Sequence, residues 1–310
     1  MLANFTRSIF YIFSFLLFLG AAEGSQDSSK APRYTVSVCA IFQNEAFYLR
    51  EWIEYHRLIG VEHFYLFNND STDNYLEILK PYISEKIVEV IDWPSRDKKR
   101  SWMKDQIEAY NHCIKKTQNI TSWLALIDID EFIVPVEKST LVEYLKDFEK
   151  YPQIGCIKMH FQLYGTSFLP TLPTDRLMIE SFILKAPTDY ASTNFPNNTV
   201  IKSIVRPEAV KKYEIHTGFL KTGFTAHPEG GHDRFLTPVQ IDQIRLNHYW
   251  TRAEDFFYNI KIGRRTRFTG VDRERIIQKL ADLNEVEDKI IFKYVPALRE
   301  RMGFASSHHE

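Results

Sequence analysis

Asp128 and Asp130 stand one residue apart, with Glu131 directly after them, at the end of the apolar run Trp123-Leu124-Ala125-Leu126-Ile127. Two carboxylates at this spacing offer hard oxygen ligands to Mg²⁺ or Mn²⁺. Proteins hold such ions with one or two carboxylates, and substrate phosphates complete the set. Alternate side chains of an extended strand share a face, so both acids meet at one point if the chain runs on extended through them. A solvated acidic strand-to-loop turn has the same pattern, and spacing alone leaves both readings open.

The elements that must position these acids can be read from the preceding residues. Five successive apolar residues fit a strand covered on both faces, as in a parallel sheet. Ligand sites of open α/β sheets lie at the carboxyl ends of such strands. Upstream, residues 34–42 are rich in β-formers and break at Gln43-Asn44-Glu45. Phe47, Leu49, Trp52, Ile53, His56 and Ile59 then keep helical spacing up to Gly60. Further strands are expected at residues 63–67 and 87–91. Helices are expected at 74–82 and 102–116, the latter carrying Gln106, Tyr110 and Cys113 on one side. Three strand–helix units followed by a strand predict an α/β fold with a parallel central sheet in a nucleotide-binding half.

Beyond Pro135 the alternation stops. Thr140 and Glu143 form a capping box opening a helix expected to reach residue 150. Strand-like runs come next at 156–163, 177–184, 199–205 and 214–217, separated by loops containing Pro170, Pro173, Pro187 and Pro196. This half is expected to be a mixed sheet with long loops that bind an acceptor. Helices are expected at 253–262 and 273–283. The turn Gly230-Gly231-His232-Asp233 lacks phosphate-loop spacing.

Bulk properties narrow the function. A formal net charge of -1 over 310 residues excludes the broadly basic surface that tracks nucleic-acid phosphates. Cys39, Cys113 and Cys156 contain no CxxC pair, which excludes a zinc cluster or disulfide framework; small core residues are the simplest reading. Arg7 followed by a short apolar run and Ala22-Glu23-Gly24 makes residues 1–24 a signal peptide or short membrane anchor. Residues 25–33 read as a polar linker, 34–303 as the main domain and 304–310 as a tail. Asn119-Ile120-Thr121 and Asn197-Asn198-Thr199 are glycosylation sequons, meaningful in a luminal eukaryotic chain.

Four ordered segments, CAIFQNEAFYLREWIEYHRLIGVEHFYLFNNDSTD, AYNHC, WLALIDIDEFIVP and NHYWTRAEDF, are spread in this order over residues 34–265. Together they resemble the GT-A fold glycosyltransferases of the family 2 and family 92 type. The resemblance implies transfer of a sugar from a UDP-sugar, with UDP-galactose one candidate, to a glycan or glycoconjugate acceptor, with inversion. It implies Mn²⁺ or Mg²⁺ held by Asp128, Asp130 and His248, and a nucleotide-sugar site built from Asn44, Glu45, Asp70, Gln106 and Asp128. Without it, a lone histidine beside Tyr249 and Trp250 reads as a packed one.

An inverting transfer also needs a carboxylate to take the acceptor's proton. Asp175, Glu180, Asp189, Glu229 and Asp233 are the candidates, and Glu180 in MIESF lies in a family-like segment. Lys202, Arg264 and Arg265 are candidate cations for the leaving diphosphate, or else a solvated basic face. His216 reads first as a packed histidine. Nucleotide sugars occur in the cytosol and Golgi lumen, so the leader implies the secretory pathway, or an inner-membrane tether if the source is bacterial. Two other functions fit parts of the pattern: a non-catalytic sugar binder on a transferase fold, and a DxD phosphatase, whose first aspartate would be a nucleophile on an early strand.

Overall fold

The computed structural model describes residues 31–95, 102–192, 197–229 and 234–305, with the backbone alone at 267–269. The leader, most of the linker, the 96–100 basic patch, the 230–233 turn and the last five residues lie outside them. Among the described residues no helix is long and apolar enough to cross a membrane.

The first half alternates as its sequence predicts: β1 (Tyr34–Phe42), α1 (Ala46–Leu58), β2 (His63–Asn68), α2 (Tyr75–Ser84), β3 (Val88–Asp92), α3 (Trp102–Thr117) and β4 (Thr121–Leu126). β1 lies between β2 and β4, and β2 pairs β3, all in parallel. The carboxyl ends of these strands are therefore on one edge of the sheet. α1 buries Leu49, Trp52, Ile53 and Tyr55 against that sheet. It stops before Gly60, where φ is +99° and an added Cβ would stand 2.7 Å from Val142 Cγ2. Only glycine meets both conditions without strain.

The second half comprises β5 (Glu131–Pro135), α4 (Leu141–Lys146), β6 (Ile154–Leu163), α5 (Met178–Ser181), β7 (Leu184–Lys185), β8 (Ile201–Val205), β9 (Val210–Tyr213), β10 (Gly218–Leu220), β11 (Thr225–His227) and β12 (Ile244–His248). The chain ends with α6 (Glu254–Phe256), a π turn (Phe257–Lys261), α7 (Ile262–Thr269), α8 (Arg273–Gln278), β13 (Val286–Glu287) and α9 (Val295–Met302). Both halves contribute to one mixed sheet. Among the described residues nine strands form it, in the order β3-β2-β1-β4-β8-β6-β12-β5 with β11 beside β6. β8 is antiparallel to both β4 and β6, and β5 is antiparallel to β12 at the far edge.

Several expectations need correction. The run at 177–184 is not a strand but α5 followed by the two residues of β7. A short apolar run does not distinguish helix from strand. The tertiary contact that decides it is Glu51, whose buried carboxylate accepts the N–H groups of Met178 (2.8 Å) and Ile179 (3.1 Å) at the helix start. Residues 214–217 form the turn between β9 and β10, closed by Glu214 N–H on Thr217 O. The Thr140 capping box is present, but its helix ends at Lys146.

His56 fixes the packing of α1 on β5. Its Nδ1 lies 2.8 Å from Trp52 O, and its Nε2 accepts Ile133 N–H at 3.4 Å. Burial pushes its pKa down to about 3. The unfolded chain takes up this proton near pH 6.5, whereas the folded chain refuses it until about pH 3. The lowered base makes stability complete above about pH 6.5 and reduces it as pH falls, by about 1.4 kcal/mol per unit. Between pH 7 and 4 the slope of urea-unfolding stability against pH should differ between wild type and His56→Gln by one proton's worth, because other buried groups contribute equally to both. A variant with the full slope would rule His56 out as its source.

Candidate active site

β4 ends at Leu126, two residues before the first acid. The chain then turns, and Glu131 N–H donates to Asp128 O at 3.1 Å. The expected sharing of one strand face by Asp128 and Asp130 is therefore not how the acids are arranged. Each carboxylate meets its own set of partners.

Asp128 Oδ1 accepts from Gln106 Nε2 at 2.6 Å and from Tyr110 OH at 2.9 Å, both on α3. Its Oδ2 is 3.1 Å from Lys202 Nζ. Lys202 lies on β8, is fully buried, and also stands 3.7 Å from Glu131 Oε2. Burial works to lower the lysine's pKa, but Asp128 and Glu131 outweigh it and the net direction is up, which keeps the ammonium charged. Glu131 is pushed up by burial, opposed by Lys202. Its Oε2 accepts Asp128 N–H at 2.9 Å, tying the turn to itself. Burial, with the Asp128 charge, raises the Tyr110 phenol well above its usual range and so keeps it a donor.

Asp130 faces a different group. Its Oδ1 is 3.4 Å from His248 Nε2, and its Oδ2 is 3.0 Å from Lys261 Nζ on the π turn. Burial acts to raise this carboxyl, yet Lys261 and His248 together hold it well below the ordinary carboxylate range. The backbone completes the junction, with Tyr249 N–H on Asp130 O at 2.9 Å. His248 is placed by register, because β12 pairs it directly opposite Glu131 on β5.

Both acids open into a cavity of about 300 Å³ lined by Gln43, Glu45, Trp102, Trp250, Lys261, Arg264 and Arg265 among others. Glu45 is paired with the buried Arg252 at 2.6 Å. That guanidinium lies over the rings of Tyr48 (3.8 Å) and Phe256 (4.4 Å). Burial raises the Glu45 carboxyl, and Arg252 opposes the shift.

The structure thus brings together Glu45, Gln106, Asp128, Asp130 and His248, with Lys202, Arg264 and Arg265 as the cations. Asn44 and Asp70 lie in loops at the same sheet edge and do not line the cavity. Asn44 Oδ1 accepts Thr72 N–H at 2.7 Å, and Asp70 Oδ2 accepts Ser95 N–H at 3.0 Å. Glu180 is elsewhere: its carboxylate accepts Leu177 N–H and pairs with Arg299 of α9, outside the cavity lining. Asp175, Asp189 and Glu229 are exposed and line no part of it; Asp233 lies outside the described residues. His216 is held at about 3 by burial, with its Nδ1 3.0 Å from Ile201 O. All three cysteines are buried. Asn119 is exposed, whereas Asn197 is buried with its own amide oxygen bonded to Thr199 N–H.

Lys261, Arg252, Tyr110, Trp102 and Trp250 went unrecognised as site residues in the sequence. Tyr110 was legible, since it comes one helical turn after Gln106. Lys261 was legible too, since it stands three and four residues before Arg264 and Arg265, the spacing that shares a helix face.

Among the described residues, no three His, Cys, Asp or Glu side chains are grouped as a ready metal cage. Asp130 and His248 supply one oxygen and one nitrogen facing each other, and both oxygens of Asp128 carry donors. That set fits an ion that draws its remaining ligands from phosphate and water, rather than one enclosed by protein.

Residues 33–286 match glycosyltransferase family 92. The chain belongs to this family. A family 92 protein of rice, Oryza sativa subsp. japonica, is 31% identical over 238 residues, which are 74% of this chain and 36% of the relative. A β-1,4-galactosyltransferase of Caenorhabditis elegans is 29% identical over 197 residues, 59% of this chain and 42% of the relative. This family 92 chain spans little more than a third of the length of the plant relatives it matches. Among solved structures, Staphylococcus aureus TarS (residues 1–349) aligns with 80% of this chain and 70% of its own, at 13% identity and a TM-score of 0.35.

Lys202 offers a direct check of the site's electrostatics. Lys202→Met leaves the fully buried Glu131 and the partly exposed Asp128 without their counter-charge, and removing one member of a buried pair costs about 3–5 kcal/mol. Urea unfolding of the variant at pH 7 should show a loss of this size. A loss below about 1 kcal/mol, the scale of an exposed pair, would mean that the carboxylates do not depend on it.

Proposed function

We propose that this family 92 chain moves a hexose, galactose being the first candidate, from a UDP-sugar to a hydroxyl of a glycan acceptor. The observation that carries the reading is Asp130 at the wall of a cavity that also presents Arg264 and Arg265, paired there with Lys261 and, outside the lining, with His248. Carboxylate, imidazole and three cations side by side suit a polyanionic leaving group. The C. elegans relative's β-1,4 product supports inversion, since galactose is α-linked in its nucleotide donor.

In this reading Asp130 and His248 hold a Mn²⁺ or Mg²⁺ ion, with Asp128 beside them. Such an ion, when bound, supplies Lewis-acid stabilisation of charge on the diphosphate. Lys261, Arg264 and Arg265 orient the phosphates and offset charge that builds on the leaving oxygen, where preorganised cations act most strongly. Gln106, Tyr110 and Lys202 keep Asp128 in one orientation, and Trp102 and Trp250 exclude water from the reacting carbon. Gln43 and Glu45, with the loops of Asn44 and Asp70, form the nucleotide side. The second half of a single 34–303 domain forms the acceptor side, and the N-terminal segment anchors the enzyme in a donor-containing lumen.

A donor panel read by UDP release, with Mn²⁺ and with chelator, tests this. UDP-galactose with Mn²⁺ is expected to give the highest release. Asp130→Ala should lower kcat about 100-fold or more, the usual scale for losing a group that stabilises transition-state charge. Equal release from the variant would end the proposed role of Asp130. Mn²⁺-dependent UDP binding with no turnover on any acceptor would favour the sugar-binder alternative. Hydrolysis of p-nitrophenyl phosphate would favour the phosphatase.

A further inference from the structure

We infer that Glu131 is a positioning residue that sets the tautomer and ring orientation of His248, so that His248 Nε2 presents its lone pair beside Asp130. The inference deepens the proposed function, resting on the reading of Asp130 and His248 as ion ligands. Glu131 is fully buried and does not line the cavity beside Asp130, so contact with substrate there does not explain its carboxylate.

Two buried polar atoms near the turn lack hydrogen-bond partners: Glu131 Oε1 and His248 Nδ1. They face each other at 3.9 Å across the β5–β12 pair, in which these two residues are directly opposed. Buried orphans are costly, and a donor and an acceptor left facing each other are complementary. The other oxygen of Glu131 is committed to Asp128 N–H at 2.9 Å, so the carboxylate cannot rotate away without releasing the turn. On the far side of the imidazole, Nε2 points at Asp130 Oδ1 at 3.4 Å. Phe161 packs on the ring with centroids 4.7 Å apart and fixes its plane. A sub-ångström slide of that ring toward β5 makes the Nδ1–H···Oε1 bond.

The chemistry gives the direction. A histidine that donates Nε2 to a cation must carry its proton on Nδ1, and buried ligating histidines give that proton to a carboxylate or carbonyl. Glu131 therefore couples the two ends of the site: one oxygen holds the backbone at Asp128, and the other holds the ring that faces Asp130. A glutamine has the same shape but carries one acceptor and one donor. It can satisfy Asp128 N–H or His248 Nδ1–H, and it sets its own N–H against the other.

Two measurements test this. Free Mn²⁺ is followed by its electron-spin resonance signal during titration of the full chain with and without UDP. Glu131→Gln should bind Mn²⁺ about 10- to 100-fold more weakly than wild type, the range for losing such an outer partner. In the His248→Gln background, Glu131→Gln should add nothing further, because it acts through that ring. Unchanged affinity in Glu131→Gln, or a full additional loss in the double variant, overturns the inference. The second measurement is ¹⁵N NMR of histidine-labelled wild type loaded with Mg²⁺ and UDP, with His248 assigned by the His248→Gln difference. It should report the proton on Nδ1, and a proton on Nε2 overturns the inference. If wild type binds neither Mn²⁺ nor Mg²⁺, the proposed ion site fails and the inference, which rests on it, fails with it.

Discussion

Three carboxylates within four residues cannot be folded into a sheet edge unless something supplies positive charge from inside, and Lys202 does this. Its ammonium is fully buried between Asp128 and Glu131. Removing an ion from water costs several kcal/mol, and only close opposite charge and filled hydrogen-bonding positions repay that cost. Tyr110 and Gln106 fill the remaining positions on Asp128 Oδ1. The topology explains the source of the lysine. β8 runs antiparallel beside β4, with Ser203 in register with Leu126, so Lys202 reaches the end of the neighbouring strand. The switch from parallel to antiparallel pairing thus brings the counter-charge to the acids.

With that pair in place, the rest of the charge can be traced. Lys261 answers Asp130, and Arg252 answers Glu45. Arg264 and Arg265 line the same cavity and have guanidinium groups suited to phosphate oxygens. A site of this kind divides opposite charges between two walls, which is what the proposed binding of an ion–diphosphate pair requires.

The first half was legible in the sequence because each of its elements satisfies local rules that tertiary contacts reinforce. The alternation up to β4, the stop at Gly60 and the capping box at Thr140 all arise from periodicity, backbone freedom and side-chain capping. Asp128 and Asp130 could be singled out, but not their geometry, since a turn begins one residue after Ile127 and sends each acid to different partners. The second half was less legible. α5 is fixed by Glu51, which is 127 residues from the amide it accepts, and no local window contains that contact. Glu180 looked like a base because its neighbours resembled a family segment. In three dimensions the same neighbours turn it to Arg299. Pairing of β5 with β12 at the far edge likewise depends on a long-range register, and that register is what brings His248 to the acids.

The positive wall has a single source in the chain. Trp250, Arg252, Lys261, Arg264 and Arg265 all come from a short segment that begins just after β12 and runs through α6, the π turn and α7. An α-helix advances about 100° per residue, so Lys261, Arg264 and Arg265, at i, i+3 and i+4, fall on one side of it. The π turn at Phe257–Lys261 inserts extra backbone at this place and re-aims the residues C-terminal to it. Lys261 then reaches Asp130, while Arg264 and Arg265, half-buried, stay on the cavity side. Helical i, i+3, i+4 spacing is thus what lets one segment contribute both the partner of an acid and the cations facing the cavity. The negative wall belongs to the end of β4, at Asp128 and Asp130, and the positive wall to a segment that starts only after β12. The site therefore exists only when the whole sheet has closed.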